Sequence, residues 1–302
     1  MTSSDIFNPG ELHFQKLSGS EKKVSALAPH LILNEVPEQH QVFYSNLNMV
    51  FVGTVDETGQ PCASVICGEK GFINAFDEKK IQINAQPIER DPLISNTKNG
   101  SPIGLLGLEF ETRRRIRVNG QVVTFDNEKI VFEVNKAFGN CPKYIQTRNI
   151  ENFIVKRENL SKNNIEVIDS INDEINQWIT SANTFFIASY YPQENFRGVD
   201  VSHRGGKPGF VKVIDNITMS FDDYPGNNVY MTLGNMHSNP VVGLLFIDFD
   251  TGDVMQLACC SEIIETPEEE HARKVVLKLK SGQITRQALI IDSEFLEYSR
   301  FV

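Results

Sequence analysis

Three segments in the first half of this 302-residue chain have counterparts in the second half, in the same order and at nearly the same offset. The matching pairs are 48–54 with 183–189, 68–73 with 206–211, and 104–112 with 243–251. The last pair matches best, since GLLGLEFET is followed later in the chain by GLLFIDFDT. Stacked solenoid repeats need more than two copies. The sequence therefore predicts a duplicated domain whose two copies pack as a pseudo-symmetric pair.

Each copy has the pattern of short β-strands. Runs of β-branched and aromatic residues, such as 50–55 and 185–190, end in stretches rich in turn-forming residues. Short strands at regular spacing favour a closed or nearly closed barrel. A helix is predicted before each copy, and the second one has its apolar residues on one face, with a capping box at Ser170–Asp173. Phe43 and Trp178 take equivalent places in these helices and are predicted to be core anchors.

The predicted organisation is an N-terminal arm at 1–34, a first repeat at 35–150, a connector at 151–164 and a second repeat at 165–302. The net charge of −10 argues against a general nucleic-acid binder, whose surface is basic. No apolar stretch approaches the ~18 residues of a membrane helix, and the N-terminus lacks the pattern of a secretory signal. The five cysteines form no Cys-x-x-Cys pair. We therefore expect a cytoplasmic protein with no metal site and no contact with nucleic acid or membrane.

The stretch 200–210 (DVSHRGGKPGF) concentrates chemically active side chains in one strand-to-turn segment. Its candidate binding residues are Ser202, His203, Arg204, Gly205 and Lys207. Glycine allows a ligand to approach the backbone, and a guanidinium with an ammonium suits a phosphate. The alternative is a hairpin with a solvated basic end. In the first repeat the equivalent residues 64–69 read SVICGE, so we expect the second repeat to hold more of the ligand.

A second basic cluster, TRRRIRVNG at 112–120, places Arg113, Arg115 and Arg117 on one face of a strand with period 2. Three guanidinium groups on one face repel each other unless they meet carboxylates or an anion. Two interpretations therefore remain open: the arginines pair with acidic residues across the repeat interface, or Arg115 and Arg117 help to form an anion site. The polar stretch 226–240 adds Asn228 and Asn235, whose amides can pair with the edge of a heteroaromatic ring or simply close turns.

Several of these segments resemble the pyridoxamine 5'-phosphate oxidase-related family of FMN-binding split barrels, in a subgroup with two barrel repeats per chain. The segments that carry the resemblance are 7–11, 111–120, 138–145, 202–211, 234–240 and 243–249. The resemblance covers nearly all of residues 5–265 and does not identify a substrate. It implies a mainly β fold of the α+β class, with two tandem FMN-binding split β-barrel repeats and short flanking helices. It also implies a homodimer.

The resemblance further implies that Ser202, His203 and Arg204 lie along the flavin, with Asn235 nearby. Pyridoxamine phosphate oxidation itself is not predicted, because 232–239 contains no Ser-x-Lys arm and the C-terminus lacks the Arg-rich substrate signature. The favoured function is an FMN-dependent oxidoreductase that acts on a small-molecule redox substrate, with no catalytic residue assigned. The alternatives are a non-enzymatic flavin or haem binder, serving storage, sensing or delivery, and a barrel that has lost its cofactor.

Overall fold

The computed structural model describes residues 6–126, 128–156, 164–193, 198–266 and 273–302. The chain is mainly β, with antiparallel sheets and short helices. The helices are α1 (Pro9–Leu17), α2 (Glu21–Leu31), α3 (Glu38–Ser45), α4 (Pro92–Asn96), α5 (Asp173–Ser181) and α6 (Met231–Ser238). None of the helices within these ranges is both long and apolar enough to cross a membrane.

The strands fall into two long series with a shorter set between and after them. The first series is β1 (Met49–Val55), β2 (Pro61–Cys67), β3 (Ile73–Asp77), β4 (Lys80–Ile83), β5 (Pro102–Glu109), β6 (Arg114–Phe125) and β7 (Ile130–Gly139). Next come β8 (Thr147–Val155) and β9 (Ile165–Ile168). The second series is β10 (Thr184–Tyr191), β11 (Gly198–Gly205), β12 (Val211–Val213), β13 (Thr218–Asp222), β14 (Val241–Ile247), β15 (Val254–Glu265) and β16 (Arg273–Thr285), and β17 (Leu289–Glu297) ends the chain.

The two series build sheets with the same strand order. The first sheet runs β2-β1-β5-β6-β7-β4-β3 and the second β11-β10-β14-β15-β16-β13-β12, with β9 added beside β16. Neighbouring strands are antiparallel throughout the described ranges. In these residues neither sheet closes on itself. The fully closed barrel that the strand spacing allowed is therefore wrong, and each sheet is an open path.

The registers of the two sheets define equivalent positions. In the first sheet Val52 faces both Ser64 and Leu105, and in the second Ile187 faces Ser202 and Leu244. Ser64 and Ser202 therefore occupy the same place in their sheets. By the same comparison across the next strand pair, Gln256 in β15 takes the place of Arg117 in β6.

The two halves meet through equivalent positions. Phe51 stacks on its counterpart Phe186 with ring centroids 3.5 Å apart, and Phe110 meets its counterpart Phe249 edge-on at 5.8 Å. Strand β8 pairs with β17 in a separate two-stranded sheet. Buried apolar residues from both halves form one cluster around these contacts, between the separate core of each half.

Two glycines allow the backbones of the two halves to touch. A Cβ added at Gly104 would lie 2.5 Å from the carbonyl oxygen of Val199, and one added at Gly243 would lie 2.4 Å from that of Pro61. A real Cβ does not approach an oxygen so closely, so both glycines are required by packing. The two contacts are counterparts of each other across the interface, which explains why the glycine recurs in both repeated segments.

Helix α5 has a different N-cap from the one that the sequence pattern predicts. Its N-cap is Asn172, whose Oδ1 accepts the backbone N–H of Ile175 at 2.9 Å. The capping box predicted at Ser170 is wrong, because the helix begins two residues later and the Ser170 hydroxyl donates to Asp169 instead. Asn is as good an N-cap as Ser, so N-cap preference alone does not decide between Ser170 and Asn172, two residues apart.

Candidate functional site

Arg117 of the first half reaches across the interface into the second half. Its Nη1 donates to both carboxylate oxygens of Asp200 at 2.9 Å, and its Nη2 donates to the hydroxyl of Ser202. Thr232 Oγ1 also donates to Asp200 Oδ2, at 3.3 Å. Both charged groups are buried, so only close geometry offsets the cost of removing them from water. The acid pairing that was one alternative for the arginine cluster is thus present for Arg117.

The arginine cluster does not lie on one face as the strict alternation predicted. Arg113 precedes β6 with φ at 58°, and its Nη2 donates to Glu297 at 2.6 Å. A residue in the left-handed region does not continue the pleat of the following strand. The period-2 expectation is therefore wrong at Arg113, while Arg115 and Arg117 follow β6 towards the interface.

Arg115 and Arg204 bring further positive charge to this place. Arg115 Nε donates to the carbonyl of Cys141 at 2.7 Å, and Arg204 Nη1 donates to Ser202 Oγ at 3.1 Å. Within the described ranges, neither guanidinium forms an ion pair. Burial, together with the neighbouring charges of Arg117 and Arg204, lowers the pKa of Arg115 to about 9. Burial also lowers the pKa of Arg204.

We call the site around Arg115, Arg117 and Arg204 the basic cleft. Four buried polar atoms there have no hydrogen-bond partner among the described residues: Arg117 Nε, Arg204 Nε, His203 Nδ1 and Asn140 Oδ1. Buried polar atoms without a partner are rare in folded proteins and call for an explanation. Two of the four are guanidinium N–H donors, which pair most strongly with carboxylate or phosphate oxygens. The cleft therefore offers unmatched donors, beside the carboxylates of Asp222 and Asp223, which also bound it.

His203 lies beside the cleft as a neutral ring. Its edge contacts Phe186 with centroids 5.7 Å apart, and its Nε2 lies 3.5 Å from Thr184 Oγ1. Burial lowers the pKa of His203 well below its usual value, and the charges of Arg115 and Arg204 add to the effect. The side chains of Ser202 and Arg204 contact each other, whereas the His203 ring packs on Phe186 and also borders the cleft.

Two adjoining cavities open at the basic cleft. The first, of about 90 Å³, is bounded by Arg117, Arg204 and the loop before α6. The second, of about 70 Å³, is bounded by Arg115, Tyr144 and Tyr224, and the two tyrosine rings lie 5.0 Å apart. Pockets for whole small-molecule ligands measure ~300–1,000 Å³. The enclosed space therefore suits a phosphate-sized group rather than a complete cofactor.

The other predicted binding residues of the turn and loop lie in different surroundings. Asn228 bounds the first cavity with φ at 62°, and its Oδ1 accepts from Tyr230. Gly205 bounds the second cavity, and a Cβ there would lie 2.2 Å from the carbonyl oxygen of Tyr144. Lys207 is exposed in the turn after β11 and bounds neither cavity.

Asn235 holds the N-terminal helix in place. Its Nδ2 donates to Ser189 Oγ at 3.1 Å, and its Oδ1 accepts from Asn8 Nδ2 at 3.0 Å. Helix α1 packs on α6 so closely that a Cβ at Gly10 would lie 2.2 Å from the carbonyl oxygen of Gly234. Both polar groups of the Asn235 amide are thus used inside the protein, and we do not include it among the proposed ligand contacts.

Sequence reasoning missed two residues: Asp200 in the cleft, and Glu11, which lies close enough to Asp200 and Arg117 for their charges to act on its pKa. Asp200 was within the singled-out stretch, but a carboxylate was not expected beside a phosphate site. Glu11 forms a capping box with Asn8, in which each residue's side chain accepts the other's backbone N–H. The Asn-x-x-Glu spacing was the available signal. It indicates a helix start, and nothing in the pattern places that helix against α6.

Comparisons with known proteins give distant similarities. No family model matches the chain, and no curated protein matches it. An FMN-binding protein from Syntrophomonas wolfei subsp. wolfei shares 13% identity over 41% of this chain and 95% of its own, with a TM-score of 0.29. A candidate pyridoxamine 5'-phosphate oxidase from Corynebacterium glutamicum shares 13% identity over 42% of this chain and 98% of its own, with a TM-score of 0.27. The MrkH–c-di-GMP complex of K. pneumonia shares 12% identity over 82% of this chain and 87% of its own, with a TM-score of 0.23. At these values none of the three assigns a family or a function to this chain.

Proposed function

We propose that the chain binds FMN through the basic cleft and takes part in FMN-linked redox chemistry. One observation carries the proposal: within the described ranges Arg115 and Arg204 form no ion pair, and Arg117 and Arg204 each keep an unmatched Nε donor. Buried charge is stable only when it is paired or hydrogen-bonded. A phosphate brings negative charge and several acceptor oxygens to such a site, and the resemblance described above points to FMN as its carrier.

The residues present fit the phosphate of FMN. Arg204 and Arg115 would hold it as charge-assisted donors, with the Ser202 hydroxyl beside them. Arg117 is already committed to Asp200 and would act by keeping Ser202 in place. The two cavities are too small for the flavin ring, which would lie outside them. Bound FMN would supply hydride or single-electron transfer, and the protein would orient it and exclude water.

The fold proposed for this function is a pair of tandem split barrels. The identical strand order of the two sheets and the contacts between equivalent positions support it. In this arrangement one chain supplies both sides of an interface that two copies would otherwise form. The homodimer, the small-molecule redox substrate and the cytoplasmic location stay predictions, and no catalytic residue is proposed.

The test is an FMN titration of the purified protein, followed by quenching of flavin fluorescence. Arg204→Ala removes a charge-assisted hydrogen bond, so we expect a loss of about 1.5–3 kcal/mol, or roughly 10- to 150-fold in affinity. Lys207→Ala removes an exposed cation three residues away and is the matched control, with unchanged affinity expected. Riboflavin lacks the phosphate, so its affinity should not change in Arg204→Ala.

Arg115→Ala separates binding from structure. A loss of FMN affinity at unchanged melting temperature assigns Arg115 to the phosphate, and a lower melting temperature at unchanged affinity assigns it to packing against Cys141. A colourless protein that does not quench FMN at tens of micromolar contradicts the proposal. A Soret band in the spectrum would point to haem instead.

A further inference from the structure

A second cleft lies on the other side of the interface between the halves. It encloses about 340 Å³ between the loop and strand at 56–63 and helix α4 of the first half, and strands β14, β15 and β16 of the second. Part of its wall is apolar, from Pro61, Ala63, Leu244 and Leu257. The remainder carries amides and hydroxyls. We call this site the amide cleft.

The amide cleft occupies the position equivalent to the basic cleft. By register, Gln256 takes the place of Arg117, and Gln283 takes the place of Phe138. Ser64 takes the place of Ser202. The same contact recurs, since Gln256 Nε2 donates to Ser64 Oγ at 3.1 Å as Arg117 Nη2 donates to Ser202.

The charges of the basic cleft have been replaced by uncharged residues. Arg204 corresponds to Ile66, Arg115 to Val254 and Asp200 to Cys62. No lysine or arginine is among the described residues that bound the amide cleft. A phosphate would find no cation there to offset the loss of its hydration, so an anionic ligand is disfavoured.

The two carboxylates at the amide cleft accept several hydrogen bonds from the protein. Asp91 lies behind the wall and accepts from Ser64 Oγ at 2.5 Å, from the backbone N–H of Leu93 at 2.8 Å and from Gln256 Nε2 at 3.1 Å. Asp56 Oδ1 accepts from the backbone N–H groups of residues 58 and 60 and from the Thr58 hydroxyl. These donors already stabilise the two charged groups, so a cationic ligand gains less from them than from a carboxylate without partners.

The amides of the wall are held in fixed orientations. Gln256 Nε2 donates to the carbonyl of Ala63 at 2.9 Å as well as to the Asp91 carboxylate, and its Oε1 accepts from Gln283 Nε2 at 3.1 Å. Gln256 is thus fully engaged inside the protein, and it orients Gln283, whose Oε1 accepts no hydrogen bond from the described residues. Oriented polar groups beside an apolar surface fix how a ligand lies in a small-molecule pocket. The volume of about 340 Å³ lies within the range of small-molecule pockets.

We propose that the amide cleft binds an uncharged, planar, fused-ring heterocycle with both donors and acceptors on its edge. The site is distinct from the basic cleft, so this protein presents two unlike ligand sites at equivalent positions. The proposal does not depend on FMN binding. One cleft has the charge for a phosphate, and the other has the room for a ring.

The test compares three tricyclic probes of different charge by fluorescence titration of the full chain: lumichrome (uncharged), proflavine (cationic) and FMN (anionic). We expect lumichrome to bind in the micromolar range and proflavine at least ten-fold more weakly. Ala258→Leu fills the cavity from β15 and should weaken lumichrome binding at least ten-fold. Ser281→Phe, at an exposed position of the wall, serves the same purpose if the first variant does not fold.

Arg204→Ala is the control for the other cleft and should leave lumichrome affinity unchanged. Loss of lumichrome binding in Arg204→Ala with retention in both cavity variants would place the probe in the basic cleft and overturn the proposal. Absence of lumichrome binding at tens of micromolar, or tighter binding of proflavine, would also overturn it. If FMN fails to bind while lumichrome binding responds to the cavity variants, the proposed function fails and this inference stands.

Discussion

Glu11 makes the stability of this fold depend on pH. Its side chain is 2% exposed, and Oε2 accepts the backbone N–H of Asn8 at 2.7 Å. Burial raises the pKa of Glu11 from 4.5 to about 7, against the opposing effects of Lys136 and of the Asn8 hydrogen bond. The nearby Asp200 carboxylate contributes to this rise. A Glu11→Gln variant keeps an acceptor for Asn8 and removes the titrating proton.

The sign follows from proton linkage. Because the folded-state pKa of Glu11 lies above that of the unfolded chain, the folded state binds the proton more tightly. The resulting stabilisation is full below pH 4.5 and is lost as the pH rises through about 7. With about 1.4 kcal/mol for each pH unit between the two pKa values, the loss is about 3 kcal/mol. At pH 8 we therefore expect Glu11→Gln to exceed the wild type by up to about 3 kcal/mol in free energy of unfolding.

The assay is urea unfolding of wild type and variant at pH values from 4.5 to 8, with the difference in free energy plotted against pH. Taking the difference removes the separate contribution of Asp91, whose pKa is raised by burial to about 6. Glu78→Gln, an exposed carboxyl in the turn between β3 and β4, is the control and should give a flat difference. A flat difference for Glu11→Gln, or one that favours the wild type at pH 8, would refute the reasoning.

Two further substitutions test the packing and the capping. Gly104→Ala and Gly243→Ala force a Cβ against a carbonyl of the other half, so each should lower the free energy of unfolding by about 1–3 kcal/mol. Gly139→Ala places its Cβ in open space and should leave the free energy of unfolding unchanged. Urea unfolding measures all three. Asn172→Ala removes the N-cap of α5 and should cost about 1 kcal/mol in the same assay, whereas Ser170→Ala should stay within about 0.5 kcal/mol. Equal losses of unfolding free energy in Asn172→Ala and Ser170→Ala would contradict the assignment of the N-cap to Asn172 alone.

The strand pattern was readable from the sequence because it is local. The segments 104–112 and 243–251 are alike because β5 and β14 occupy the same place in two sheets of identical order. Gly104 and Gly243 recur because each meets a backbone of the other half. Closure of the sheets could not be read in this way, since it depends on pairing between strands that are distant in the chain.

The candidate site was readable only in part, because it is assembled from both halves. Alternation on a strand placed Arg113, Arg115 and Arg117 together, and it is wrong for Arg113, which lies in the turn before β6 with a positive φ. The ion pair between Arg117 and Asp200 joins residues far apart in the chain, and no spacing rule reports it. Composition at 200–210 showed the charges, whereas the pairing that leaves Arg204 and Arg115 unmatched needed the structure.

The two clefts lie at equivalent positions of the interface but differ in their chemistry. In a pair of identical subunits both equivalent sites carry the same residues, so each must combine charge and room for one ligand. Here Arg117 and Gln256 take equivalent positions, but a change at Arg117 affects the basic cleft alone and a change at Gln256 affects the amide cleft alone. The basic cleft has three guanidinium groups and two cavities of about 90 and 70 Å³, and the amide cleft has about 340 Å³ and no lysine or arginine among its described residues. Because each half contributes one side of each cleft, a ligand at either site also bridges the halves, and its binding should raise the free energy of unfolding of the chain as a whole.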